Sequence, residues 1–342
     1  MIEREQAYVF SWESVDTLLD ELKINHSHKP QIVNDYYLNR GLRVRYTTNH
    51  DLTDSIKLTH KSGNKADGFR QEEEVLVSSD VGNILKEQSV LRVSKKRLKL
   101  NLKAQNPHVN VYLDYVQKPM QVAILEIESI DRQKSTPLPS GIATELFGKE
   151  LISCPLSAYD YFIRKIGICG GPGSGKSMLA THLSYKVNTL LNGNAFHVAE
   201  FATTFIQAYH RNPTFQDQFL IWYGQRERER NAQRSNIVIS DCPTFLAYIY
   251  TLCLNGSEYN PQTILNYSKI YKGVLDDVQG YSSLVFLKIA DYANNNIRYQ
   301  SKTEAFKIEG RIQQFLDEHH IPYRSGTYRE TDQLFKELFW LN

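Results

Sequence analysis

The run GGPGSGKS, Gly170 to Ser177, constrains the fold more than any other stretch of this chain. Its spacing, G-x-x-x-x-G-K-[ST], functions only where a buried strand enters a glycine-rich turn and the turn enters a helix. The flanks fit: RKIGIC reads as a short apolar strand and MLATHLSYKVNTLL as a helix. Glycines let successive backbone N–H groups turn inward around phosphate oxygens. A lysine there supplies a point charge to the β and γ oxygens, and a hydroxyl suits Mg²⁺. Gly170, Gly171, Pro172, Gly173, Ser174, Gly175, Lys176 and Ser177 are therefore candidate ligands for ATP or GTP, with Ser177 on the metal side.

Downstream, strands and helices alternate. AFHVAEF, NIVISD, SSLVFLKI and a short strand from IPY read as strands. FQDQFLIWYGQRERERNAQR and TEAFKIEGRIQQFLDEHH read as helices. That rhythm predicts a doubly wound parallel α/β domain over residues 164–342. Asp241 ends the buried strand NIVISD, where a carboxylate would hold Mg²⁺ or its water. Glu200 ends the strand AFHVAE, where it is placed either to take a proton from an acceptor hydroxyl or to cap the next helix. Arg298, ahead of TEAFKIEG, is the candidate for a lid guanidinium over a transferring phosphoryl group. In RERER (226–230), Arg226 and Arg230 share a helix face, but Glu–Arg alternation also describes a merely solvated surface.

This half resembles the P-loop kinase domain of the bacterial nicotinamide-nucleotide adenylyltransferase regulators, the NadR type, and related phage kinases. The resemblance rests on GGPGSGKS, HVAEFATTFI, VISDCP and RYQSKTEA. It implies a phosphotransferase with catalytic Lys176, Asp241, Glu200 and Arg298. In SDCP, Cys242 stands where a Ser or Thr is more usual, removing one hydroxyl beside the metal.

The first 130 residues keep a different, period-2 rhythm: LRVRY, SIKLTHK, FRQEEEV, VLRVSKKRLKL, VNVYLDYV and VAILEIES read as strands. SWESVDTLLDELK reads as one intervening helix, and STPLPSG and CPLSAYDYF as connecting segments. Charges repeat on a two-residue rhythm: Glu3/Glu5, Arg43/Arg45, Lys57/Lys61 with Thr59 between, Arg70/Glu72/Glu74, Lys95/Arg97 and Glu126/Glu128, with Asp114 a single acid. Each set therefore lies on one strand face, opposite apolar residues such as Val44, Leu125 and Ile127. A single such strand is ordinarily half-solvated. Six of them, mixed in sign, favour an antiparallel barrel with a charged lumen, in which arginines and lysines clamp phosphates and carboxylates hold Mg²⁺ or Mn²⁺.

The pattern resembles the CYTH, or triphosphate-tunnel, family over about residues 1–158, within a domain expected over 1–160. The matching motifs are IEREQ, LRVRY, LTHK, FRQEEE, SKKR, ILEIE and GKEL. The resemblance implies phosphate contacts from Arg43, Arg45, Lys61, Arg70, Lys95 and Arg97, and metal contacts from Glu3, Glu5, Glu126 and Glu128. Ala7 departs from it, standing where the family usually has lysine.

Composition narrows the rest. Residues 1–160 carry 21 basic and 22 acidic side chains and 161–342 carry 19 and 16, so bulk charge does not drive indiscriminate nucleic-acid binding. Cys154, Cys169, Cys242 and Cys253 are too scattered for a zinc site and read as thiols of a reducing compartment. No run approaches 18 apolar residues and MIEREQ has no apolar leader core, so no membrane span is expected and the cytoplasm is the expected compartment.

The combined expectation is a bifunctional enzyme: an ATP- or GTP-dependent kinase acting on a hydroxyl of a nucleoside, nucleotide or nucleic acid, joined to a triphosphate-binding or triphosphatase tunnel. The alternative is a nucleotide-binding regulator whose tunnel senses a polyphosphate or inositol phosphate without turnover. A eukaryotic family with the same two modules in reverse order is similar in that sense. A motor NTPase ranks last.

Overall fold

The computed structural model describes residues 2–14, 17, 19–20, 29–49, 54–62, 70–100, 109–130, 143–144, 147, 150–254, 261–292 and 300–342. For residues 2–4, 70, 130 and 261–266 only the backbone is described. The chain divides into two compact units: residues 1–163, 189–193 and 336–342, and residues 164–188 and 194–335.

The first unit is an antiparallel sheet. Its strands are β1 (Ile2–Ser11), β2 (Gln31–Tyr37), β3 (Leu42–Thr48), β4 (Asp54–Ser62), β5 (Arg70–Leu76), β6 (Leu91–Leu100), β7 (Val109–Lys118), β8 (Val122–Ile130) and the two-residue β9 (Ser153–Cys154). Helix α1 (Ser79–Glu87) comes after β5, and the short α2 (Ala158–Phe162) after β9. The strand order is β5-β4-β3-β2-β6-β7-β8-β1-β9. A further pairing, Ile2↔Gln71 and Glu3↔Arg70, joins β1 to β5, so β2 to β8 each have two antiparallel neighbours and β1 has three: β5, β8 and β9.

Period-2 alternation assigns the faces. One face of β1, β6, β7 and β8 is apolar: Tyr8, Phe10, Leu98, Leu100, Val111, Leu113, Leu125 and Ile127 form a single buried cluster. The opposite face carries the charges, yet Asp35, Lys95, Arg97 and Asp114 on it are all buried, at 1%, 6%, 8% and 0% exposure. A half-solvated sheet would do the reverse, leaving its charged face wet. The half-solvated alternative is therefore excluded for these strands.

Two elements of this unit were not apparent as such in the sequence. QIVNDYY is strand β2 although Asn and Asp are poor strand formers, and SDVGNILKE is α1, with Ser78 accepting from Val81 N as its N-cap. CPLSAYDYF, expected as a connection, holds the second residue of β9 and all of α2. In the expected helix SWESVDTLLDELK, Ser11 ends β1, Trp12–Ser14 form a 3-10 turn and residues 17, 19 and 20 are helical, while 15, 16, 18 and 21–23 lie outside the described residues, as do STPLPSG and the start of GKEL.

The second unit is a parallel sheet of five strands, β11-β12-β10-β13-β14. They are β10 (Arg164–Gly170), β11 (Ala195–Val198), β12 (Ile237–Ser240), β13 (Ser283–Leu287) and β14 (Arg324–Gly326). The last lies just beyond the expected IPY. The helices are α3 (Lys176–Thr189), α4 (Phe201–Tyr209), α5 (Gln218–Asn231), α6 (Leu246–Cys253), α7 (Pro261–Gln279), α8 (Lys302–Glu318) and α9 (Thr331–Phe339), whose last turn counts with the first unit. Cys169, Phe245, Ile249, Val274, Phe286, Ile312 and Leu316 sit in its core. The expected α/β architecture is present, with α4, α6, α7 and α9 added to it.

The four cysteines are free thiols, three of them buried. Among the described residues no helix is long and apolar enough to cross a membrane.

Candidate functional site

Parallel register sets the site of the second unit. Gly167 pairs with Ser240, Gly170 with Leu287 and Val198 with Ser240, so β10, β11, β12 and β13 end along one edge. The residues just past each strand gather at that edge, as in other open α/β sheets. They are the glycine loop after β10, Glu200 after β11 and Asp241 after β12.

The loop conformation explains its glycines at two positions. Gly170 has φ +151°, and a Cβ there would lie 2.3 Å from the Leu287 carbonyl oxygen. Gly175 has φ +94°, and a Cβ would meet Tyr328 Cβ at 2.7 Å. Lys176 opens α3 and donates from Nζ to the carbonyls of Gly170 (3.1 Å) and Gly171 (3.0 Å), which folds it over the loop. Ser177, next on the helix, is exposed.

Asp241 is 2% exposed. Its Oδ2 stands 3.1 Å from His197 Nε2, and among the described residues its Oδ1 has no hydrogen-bond partner. Ser174 Oγ and Thr244 Oγ1 are likewise buried without a partner. Unsatisfied buried oxygens are costly, and a cluster of them beside a phosphate loop fits a ligand-bound state. Helix α6 has Phe245 as its N-cap, so Asp241 caps nothing.

Glu200 occupies the N-cap position of α4 but makes no side-chain capping bond. Its Oε2 accepts from Thr203 Oγ1 at 3.0 Å, and Cys242 Sγ lies 3.7 Å from its Oε1. Burial, with Glu200 and Asp241 adding to it, pushes the Cys242 thiol well above its ordinary pKa, so it stays protonated. Lys176, Ser177, Glu200 and Asp241 all line one cavity of about 450 Å³, whose remaining wall includes Ile206, Gln218, Ile221 and Tyr250. That volume lies within the range of small-molecule sites. Arg298 lies outside the described residues.

Three site residues went unmarked in the sequence. His197, inside HVAEF, reaches Asp241 from the neighbouring strand. Arg228 donates to the carbonyls of Ala199 and Glu200 (3.2 Å each) and to Thr204 Oγ1 (2.8 Å), fixing the turn that carries Glu200. Glu229 is 2% exposed. RERER is therefore only partly a solvated face: Arg230 is exposed, Arg226 pairs with Asp277 at 3.2 Å, and Arg228 and Glu229 point inward.

In the first unit the charged face forms a second cluster. Arg45 grips Asp35 through Nε (2.6 Å) and Nη2 (2.9 Å), and Arg43 stands 3.8 Å from the same acid. Lys95 (2.5 Å) and Arg97 (2.7 and 2.6 Å) converge on Asp114, and Arg97 also pairs with Glu126. Lys61 lies between Glu5 (3.5 Å) and Glu72 (3.3 Å). Burial would raise both central acids, but Arg45 and Arg43 hold Asp35 well below the usual carboxylate range, and Arg97 and Lys95 lower Asp114 in the same way.

Glu128 behaves differently. It lies directly across from Glu5 in the register of β1 and β8. Burial pushes it up to about 7; Arg97 opposes that rise, and Glu126 and Glu5 reinforce it.

Glu5, Arg43, Arg45, Lys61, Lys95, Arg97, Glu126 and Glu128 line one cavity of about 50 Å³, room for a few waters. Glu3 and Arg70 are placed in β1 and β5 by backbone, but their side chains lie outside the described residues. Among the described residues no group of three or more His, Cys, Asp or Glu is placed to hold a metal ion. Asp35 went unnoticed because its strand did.

The second unit is thus a P-loop α/β domain, defined by its loop, its parallel order and the carboxylate at the adjacent strand end. A family model described as an AAA domain matches residues 165–327. Similar solved structures include a NadR protein in complex with NAD and AMP-PNP (13% identity, TM-score 0.42, 53% of this chain and 51% of that one). Deoxyadenosine kinase from M. mycoides is similar at 12% identity and TM-score 0.37, over 51% of this chain and 98% of that one. PH1819 protein from Pyrococcus horikoshii OT3 is similar at 20% identity and TM-score 0.34, over 45% and 94%. No curated protein matches the chain.

Proposed function

We propose that the second unit is a phosphotransferase that moves the γ-phosphoryl group of ATP or GTP to a hydroxyl of a nucleoside, nucleotide or nucleic-acid end. The observation that carries this reading is Asp241 Oδ1, buried and without a partner among the described residues, in a cavity that also receives Lys176, Ser177 and Glu200. Loop amides and Lys176 would bind the phosphates; Ser177 and Asp241 would hold Mg²⁺. That ion supplies charge neutralisation on the β and γ oxygens when bound. Glu200 would accept the proton of the attacking hydroxyl, since its side chain makes no capping bond to the backbone of the helix it precedes and meets only the Thr203 hydroxyl there. Arg298 is proposed for the developing charge. The acceptor would occupy the wall of Ile206, Ile221 and Tyr250.

For the first unit we propose that the β1–β5 pairing closes the strands into a tunnel and that its cations bind a triphosphate. Glu5 and Glu126 are ion-paired as they stand, and Arg43, Arg45, Lys95 and Arg97 already engage acids. The described residues therefore offer no ready cage for a divalent ion at Glu5, Glu126 and Glu128, and the proposal for this cavity is binding without a hydrolytic step. That self-pairing, with Ala7 opposite Glu126 in the register, favours the second reading: a sensor for a polyphosphate ligand.

The test is incubation of full-length protein with γ-labelled ATP, Mg²⁺ and a panel of nucleosides and 5′-hydroxyl oligonucleotides. Label in an acceptor is expected; ATP hydrolysis with no acceptor labelled across the panel would remove the kinase reading. Triphosphate turnover abolished by Glu126→Gln would overturn the sensor reading of the tunnel.

A further inference from the structure

The geometry points to Glu229 as a positioning residue that fixes both carboxylates of the phosphoryl-transfer site through one buried hydrogen-bond hub. Glu229 lies on α5, outside the cavity that holds Lys176, Glu200 and Asp241. It is 2% exposed and carries its charge inside the domain, with Lys165 Nζ at 2.5 Å as counter-ion.

Two hydrogen-bond branches leave its carboxylate, through Ser240 and Tyr281, and a third joins the first at Ser240 Oγ. Ser240 Oγ donates to Oε1 at 2.6 Å, and Ser240 is the residue before Asp241. Gln225 Nε2 donates to that same Ser240 Oγ at 3.2 Å, while Gln225 Oε1 accepts from the backbone N–H of Phe201 at 2.8 Å; Phe201 is the residue after Glu200. Tyr281 Oη lies 2.8 Å from both carboxylate oxygens and accepts from the backbone N–H of Thr244 at 3.0 Å, on the wall of the cavity. Burial and Glu229 raise the Tyr281 phenol well above its ordinary value, so it remains the donor in this chain.

The turn bearing Glu200, the strand end bearing Asp241 and the wall at Thr244 thus terminate on one anion. An anion buried for packing alone carries a desolvation cost that an apolar side chain of the same size would avoid. Outer-shell carboxylates that orient ligands commonly govern metal affinity by about 10- to 100-fold. The assignment deepens the phosphotransferase reading and rests on Asp241 as the metal-side acid.

The test compares full-length wild type with Glu229→Ala, Glu229→Gln and Tyr281→Phe. Two readouts need no acceptor: the Mg²⁺ concentration that half-saturates binding of a fluorescent ATP analogue, and hydrogen exchange at amides 200–204 and 241–246 relative to α8. Glu229→Ala is expected to raise the Mg²⁺ requirement about tenfold and to speed exchange in those two segments while α8 keeps its protection. Glu229→Gln, which still accepts from Ser240 and Tyr281, is expected to restore most of both. Tyr281→Phe is expected to loosen 241–246 alone.

If Glu229→Ala does not fold, Tyr281→Phe decides by its exchange at 241–246. Unchanged exchange at both segments, or loosening spread evenly through the domain, would overturn the hub. Wild type that binds nucleotide without any Mg²⁺ dependence would instead overturn the reading of Asp241, and the exchange pattern would still decide the hub.

Discussion

Asp114 and Asp241 are both buried acids at the centre of a charged site, and they are treated in opposite ways. Asp114, in the first unit, is held by Lys95 and Arg97 through three contacts of 2.5–2.7 Å. Asp241, in the second, has an imidazole near one oxygen and no described partner on the other. Stability and readiness trade against each other here. A carboxylate whose charge is fully answered by protein holds its strands together, and a ligand must displace those partners to bind. A carboxylate left short of partners weakens the folded chain, and a cation can meet it without rearrangement. The first unit reads as a cluster built mainly to satisfy itself and the second as a site that waits for a ligand.

The largest effect that would test this contrast is functional. Lys176→Ala should cut phosphoryl transfer on the order of 10³-fold. Glu200→Gln should cut it about 10²–10⁴-fold while leaving nucleotide affinity in place, a split that steady-state kinetics with labelled ATP would show.

Next in size is stability. Asp114→Ala strands two buried cations and should cost about 3–5 kcal/mol in the first unit. Asp241→Ala should stay within about 1 kcal/mol of wild type or gain, because it removes an unsatisfied oxygen. Urea-dependent hydrogen exchange in β7 and β12 measures the two separately, and equal losses would erase the contrast.

A smaller effect carries a pH signature. Glu128 titrates near 7 in the folded chain against an ordinary value of 4.5. A raised carboxyl pKa means that the folded state favours the protonated form. The stability it supplies is complete below pH 4.5 and is lost as pH rises through 7. In EDTA, Glu128→Gln should therefore match wild type at about pH 4 and exceed it by about 1–2 kcal/mol at about pH 8, read as slower exchange in β8. The smallest effect belongs to Lys57, paired with Glu74 at 2.8 Å but 40% exposed. Lys57→Ala should shift stability by less than about 0.5 kcal/mol.

The glycine loop was legible in the sequence because its chemistry is contiguous: successive residues make the cradle, and the flanking strand and helix announce themselves by pattern. The i, i+2 charge pairs were legible for a similar reason, since strand geometry alone puts them on one face. What they contact was not. Asp35 meets Arg45, and Asp114 meets Arg97, because register sets them directly opposite, and register is a property of two strands at once. Strand β2 was hidden further by Asn34 and Asp35, which disfavour strands except where a cation across the sheet awaits one of them. His197, Arg228 and Glu229 escaped because their partners, at the ends of other elements, come together only in the folded sheet. That the charged face looks inward was inferred from six such strands of mixed sign taken together, since alternation within any one strand reads the same whether its charged face is buried or wet.

The decisive comparison is γ-phosphoryl transfer by wild type, Asp241→Asn and Glu126→Gln under the same Mg²⁺ and acceptor. Transfer should be lost in Asp241→Asn and kept in Glu126→Gln, because only the first removes a charge that no described cation answers. Transfer that survives Asp241→Asn would contradict the assignment of that acid to the metal, and with it the contrast between the two units.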